Sequence, residues 1–198
     1  MNPSNNKKPL MKKILLAAAV LAAVSTVTSR AAVGWFDDYV LVSIDGGSEQ
    51  YYWIGSNPNF GTQFDGANFG SLTTLTFGVD MKYWASDGDT RDGGSIFVSI
   101  NGGAATEYLW NHASIGGNDY QGLLPVTTID VTAGLSEGSH TVAVWAKTWG
   151  TGGDSWLSND GNNYTASFSV VPEPSTYALL ALSAVAMGGY VVRRRRRA

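Results

Sequence analysis

From residue 39 to residue 171 the chain alternates short runs rich in Val, Ile, Thr, Phe, Tyr and Trp with clusters of Gly, Asn, Asp and Ser. No run sustains a helical period, so the region reads as all-β. Strands are predicted at 39–44, 50–54, 72–84, 95–100, 106–110, 126–131, 139–148 and 164–171. Eight strands with turn signals at this spacing suit an antiparallel β-sandwich of jelly-roll or Ig-like type. The run from His140 to Lys147 sets Val142, Val144 and Ala146 on one face and Ala143, Trp145 and Lys147 on the other. Both faces are largely apolar, which predicts a central strand with Trp145 in the core.

One pattern occurs twice. Val42-Ser43-Ile44-Asp45-Gly46-Gly47 precedes Tyr51-Tyr52-Trp53, and Val98-Ser99-Ile100-Asn101-Gly102-Gly103 precedes Tyr108-Leu109-Trp110. Asp-Gly and Asn-Gly tolerate the positive φ of a tight hairpin, so each unit reads as a strand, a turn and a return strand ending in aromatics. A duplicated half-sandwich and two hairpins meeting the same turn chemistry account for the echo equally well.

The ends follow other patterns. Lys12 and Lys13, an apolar run from Ile14 to Val24, then small or polar residues to Ala32 give the order of a secretory signal. Ser29 and Ala31 put small residues where a signal peptidase tests them. Residues 1–31 are therefore expected to form a removable signal helix, and 32–170 the exported domain. At the other end Pro172 and Pro174 hold the chain extended and accessible. The stretch 176–192 carries no charge and approaches the lower limit of roughly 17 residues for crossing a bilayer, which predicts a single transmembrane helix. Arg193, Arg194, Arg195, Arg196 and Arg197 then act as a membrane stop that stays cytoplasmic.

Val171, Pro172, Glu173 and Pro174, the uncharged stretch and the arginine run, in that order over 171–198, resemble the PEP-CTERM sorting signal of Gram-negative bacteria. The resemblance implies transient anchoring in the inner membrane, recognition at the Pro-Glu-Pro strip, cleavage by an exosortase, and delivery to the cell surface or an exopolysaccharide biofilm matrix. The segment from Asp130 to Val142 also resembles secreted bacterial β-sandwich modules, where a Gly-Leu turn and Gly-Ser-His lead into a long core strand; this bears on fold more than function.

Charge narrows the partners. Between Ala32 and Val171 fifteen Asp and Glu stand against only Lys82, Arg91 and Lys147, a balance of −12. That field repels nucleic acid. The absence of cysteine excludes a disulfide framework and thiolate chemistry.

Three kinds of site are candidates. Exposed tryptophans offer flat apolar faces to sugar rings; Trp53 and Trp110 close the two hairpins, and Trp149 and Trp156 flank the Gly-rich loop 150–155, so these four are the expected sugar-binding set. The alternative is that they fill the core. Asp87, Asp89 and Asp92 crowd hard oxygen ligands that suit calcium, although their spacing departs from the helix-flanked calcium loop and a polar turn explains them as well. Catalysis has His112 and His140 as the only histidines, and no serine sits in a nucleophile elbow. The expected role is thus non-catalytic, as a structural or adhesive surface protein without a cofactor; a carbohydrate-binding module is the first alternative and a small secreted glycan hydrolase the second.

Overall fold

The computed structural model describes residues 32–55, 58–70, 72–86, 88–171 and 174–195. The expected signal helix at 1–31 lies outside them, as do Asp87, Pro172, Glu173, Arg196 and Arg197. Among the described residues eleven strands form two sheets. The first has the order β2 (Gln50–Trp53), β1 (Val33–Ile44), β4 (Leu75–Ala85), β8 (Asp119–Asp130) and β7 (Asn111–Gly116). The second has the order β3 (Ala67–Phe69), β11 (Tyr164–Val170), β9 (Gly138–Gly150), β5 (Arg91–Ile100) and β6 (Thr106–Leu109), with β10 (Ser155–Leu157) also paired to β9. Described pairings are antiparallel except β3 with β11. The expected all-β sandwich is this architecture.

Alternation builds the core. Val40, Val42, Phe77, Val79, Met81 and Tyr83 of the first sheet are buried, as are Ile96, Val98, Val142, Val144 and Ala146 of the second. Removing each such side chain from water contributes about 1.5–3 kcal/mol. A one-turn helix, α1 (Phe60–Phe64), closes one end: Asn59 Oδ1 accepts from Thr62 N at 3.2 Å, and Phe60 and Phe64 stack at 5.2 Å. Phe64 also meets Phe69, Phe77 and Phe168.

The two echoed segments are equivalent hairpins, β1–β2 in one sheet and β5–β6 in the other. Asp45 and Asn101 share positive φ, 52° and 53°. Ser43 Oγ donates to Gly47 O at 2.9 Å and Ser99 Oγ to Gly103 O at 2.8 Å. Their registers agree, Val42 facing Gln50 and Val98 facing Thr106. Counted from that register, Trp53 corresponds to Leu109, and Trp110 corresponds to Ile54.

After β11 the chain enters α2 (Pro174–Arg195), whose described side chains from Ala178 to Met187 are all exposed. Among the described residues no helix is long and apolar enough to cross a membrane.

Candidate functional site: an aromatic face on the second sheet

In β9 the inward positions are His140, Val142, Val144, Ala146 and Thr148, all buried. Period-two geometry therefore turns Trp145, Lys147 and Trp149 to the outer surface. Trp145 is half-buried there instead of filling the core as its strand suggested. It lies directly opposite Phe97 of β5, and the two rings stack at 5.4 Å with planes 4° apart. Trp156 of β10 lies opposite Lys147, is 50% exposed, and brings its ring to 5.7 Å from Phe97.

Lys147 binds the rings together. Its Nζ sits 5.2 Å from the Trp156 ring, 5.4 Å from Trp149 and 5.7 Å from Phe97, and 3.7 Å from Glu107 Oε1. The positive charge over three ring faces holds them in one arrangement, each contact contributing roughly 0.5–1 kcal/mol at an exposed site. Glu107 is fixed in turn by Ser95 Oγ, which donates to it at 2.7 Å. Small residues make room below: Ser95 faces Lys147, and Gly93 faces Trp149, whose indole lies where a Cβ on Gly93 would be. Leu109, 66% exposed, continues the surface on β6. The result is a rigid apolar plate with a carboxylate and an ammonium set into it.

The four expected tryptophans are not one set. Trp149 and Trp156 come together on this plate. Trp53 is on the first sheet, beside Tyr39 at 4.2 Å. Trp110 is a correction: only 6% exposed, it packs between the sheets against Trp35 and Tyr83 and over Gly94 and Gly122, so it has no face to offer a sugar. Phe97 and Lys147 are the contributors that sequence reasoning missed; the alternation of 95–100 was the available signal for Phe97.

Of the expected calcium ligands, the described Asp89 and Asp92 do not share one surface. Asp89 is buried, and its Oδ1 accepts from Arg91 Nη2 at 3.2 Å, Thr151 Oγ1 at 3.0 Å and Gly152 N at 2.8 Å. Asp92 is exposed. Among the described residues no three His, Cys, Asp or Glu side chains gather as a metal site.

Both histidines are tied into the framework. Tyr83 Oη and His112 Nδ1 are 2.7 Å apart. His140 Nε2 lies 2.7 Å from Ser136 O, a carbonyl that only accepts, so the ring proton is on Nε2 and Nδ1 accepts from Asn101 Nδ2 at 3.0 Å. A polar cleft of about 480 Å³ beside β11 is lined by one carboxylate, Asp65, whose Oδ1 accepts from Ser167 N. The three basic residues of the domain each face an acid: Lys82 pairs with Asp37 at 3.5 Å, Arg91 with Asp89 and Lys147 with Glu107.

Residues 170–197 match the family model of the PEP-CTERM protein-sorting motif. No curated protein matches the chain. The tail thus marks a secreted protein sorted through an exosortase, as the resemblance of 171–198 to that signal implied.

Proposed function

We propose that this exosortase substrate is a non-catalytic, adhesive component of the cell surface or extracellular matrix, holding polysaccharide on the outer face formed by Phe97, Trp145, Lys147, Trp149 and Trp156. The observation that carries the reading is that the exposed Trp156 adjoins the stacked, half-buried pair Phe97 and Trp145 on one outer face, with Lys147 Nζ over the Trp156 and Phe97 rings. Sugar rings present C–H groups on a flat apolar side, and the negative face of an aromatic ring attracts them. The carboxylate of Glu107 at the plate's margin accepts from sugar hydroxyls. A preformed plate loses little side-chain entropy on binding, which favours affinity from a small contact.

The sorting route supports the location. In this reading a signal peptidase removes 1–31, the helix over 176–192 anchors the precursor in the inner membrane with the arginines in the cytoplasm, and exosortase cuts near Pro172–Pro174 to leave the domain 32–170. The uncharged stretch 176–192 would rise roughly 26 Å as an α-helix, a few ångströms short of a hydrocarbon core of about 30 Å.

The test is affinity electrophoresis of the chain through gels containing neutral or charged polysaccharides. Retardation should fall roughly tenfold in strength with Trp156→Ala, the equivalent of about 1.4 kcal/mol, and stay unchanged with Leu179→Ala. Equal mobility of the parent and Trp156→Ala in every gel would refute the plate as a glycan site.

A further inference from the structure

The opposite surface of the sandwich carries a second aromatic row. Trp53 faces Tyr39, Tyr39 faces Asp80, Asp80 faces Leu123, and Leu123 faces Asn111, so one line of outward side chains crosses all five strands of the first sheet. At about 4.8 Å between strands this line is roughly 19 Å long, enough for a short run of sugar rings. Tyr39 and Trp53 lie 4.2 Å apart, and Tyr51, 55% exposed, meets Tyr39 edge-on at 5.7 Å. Polar groups flank the rings at fixed positions. Gln121 Nε2 donates to Asp80 Oδ1 at 2.7 Å, Lys82 pairs with Asp37, and Tyr51 Oη donates to Glu49 Oε2 at 3.3 Å.

From this geometry we infer that the domain is bivalent: the row Trp53–Tyr39–Tyr51 with Asp80 and Gln121 is a second site for an uncharged polysaccharide, so one molecule joins two glycan chains across its thickness. The inference rests on the proposed glycan reading of the second sheet. Charge selects the occupant. Glu49, Asp37 and Asp80 surround the first-sheet row with Lys82 as its one described cation, so a polyuronate is repelled there. On the second sheet Lys147 occupies the centre of the plate and disfavours a cationic polymer. An uncharged glycan is the chemistry that both faces accept.

The two surfaces are separated by the sandwich, whose sheets stack about 10 Å apart. Opposed faces cannot be reached by one short oligosaccharide, so their occupancies add. The experiment is native mass spectrometry of the full chain in detergent with cellohexaose or laminarihexaose, with a galacturonate hexamer as the charged comparator. Two neutral oligosaccharides should bind per chain. Tyr51→Ala, at an exposed position that leaves the fold intact, and Trp53→Ala should each reduce this to one, as should Trp156→Ala. Trp53→Ala combined with Trp156→Ala should bind none, and the galacturonate should bind at most once per chain, at the second-sheet plate, and be lost with Trp156→Ala. One oligosaccharide per chain, lost with Trp156→Ala and indifferent to Tyr51→Ala and Trp53→Ala, overturns bivalency and leaves the second-sheet site standing. No binding to the parent chain overturns both readings, and equal binding of the galacturonate overturns the charge assignment.

Discussion

At Asp38 burial outweighs every other influence on a carboxyl group. The residue lies within the bulge between Phe36 and Tyr39, where Asp37 takes φ 48°, and its side chain is turned out of water. Burial, reinforced by Asp37 and Asp80, pushes its pKa up to about 9, although Lys82 N donates to Oδ1 at 3.2 Å. Folding then favours the protonated form, while the unfolded chain releases the proton near the ordinary value of 3.8. Asp38 weighs against stability increasingly as pH rises between those two values, and no further above the higher one. Asn keeps an acceptor for Lys82 N and carries no charge. Asp38→Asn should match the parent below pH 4 and exceed it by a margin that widens to a few kcal/mol near pH 9, on the order set by the linkage of pKa to stability. Urea unfolding of both proteins across that range checks this; a margin independent of pH would mean that Asp38 is ionised in the fold.

The hairpins locate a share of stability in each turn. Asn101 takes positive φ, its Oδ1 accepts from Thr141 N at 3.0 Å, and its Nδ2 donates to His140. Asp45 serves the first hairpin in the same way, accepting from Thr73 N and Thr74 N. Asn101→Ala adds a strained φ and leaves the buried His140 Nδ1 without its donor, so it should cost about 1–3 kcal/mol in thermal or urea unfolding. These turns, and the alternation of β9, were plain in the sequence because each is a local pattern. Three strands were not. β3 and β10 are three residues each, and β7 holds few β-branched residues. The first half of β8 was hidden by Gly122 and Pro125; the proline sits in an interior strand because it falls in an irregularity of β8 itself, where residues 125–128 cross the single residue Gly78 of β4, whose missing Cβ lets the chains approach. Trp110 was misplaced for a related reason. Aligning aromatics instead of turn registers shifts the second hairpin by one residue, and one residue exchanges the inner and outer faces. The aromatic plate gathers β5, β9 and β10, so its parts were visible singly and its assembly was not.

For the whole molecule, the sandwich and the sorting tail meet at one bond-scale boundary. β11 ends at Val170, and Val171 N donates to Phe69 O at 2.9 Å, the last described contact of the sheet before the Pro-Glu-Pro strip. The parallel pairing of β11 with β3 is complete by that point, Phe168 facing Ala67 and Val170 facing Phe69. A cut on the C-terminal side of Val171 therefore removes no strand and no core residue. Processing and folding should be separable. In the native host the parent protein should reach the medium or surface with a mass lacking both ends, whereas Pro172→Ala combined with Pro174→Ala should stay in the membrane fraction with its arginines. The retained variant, extracted in detergent, should unfold within about 0.5 kcal/mol of the processed parent, the margin of a change outside the packed structure. A parent that keeps its arginines would refute cleavage at the strip. A retained variant that is strongly destabilised would instead mean that the strip belongs to the sheet, and that sorting acts on the fold itself.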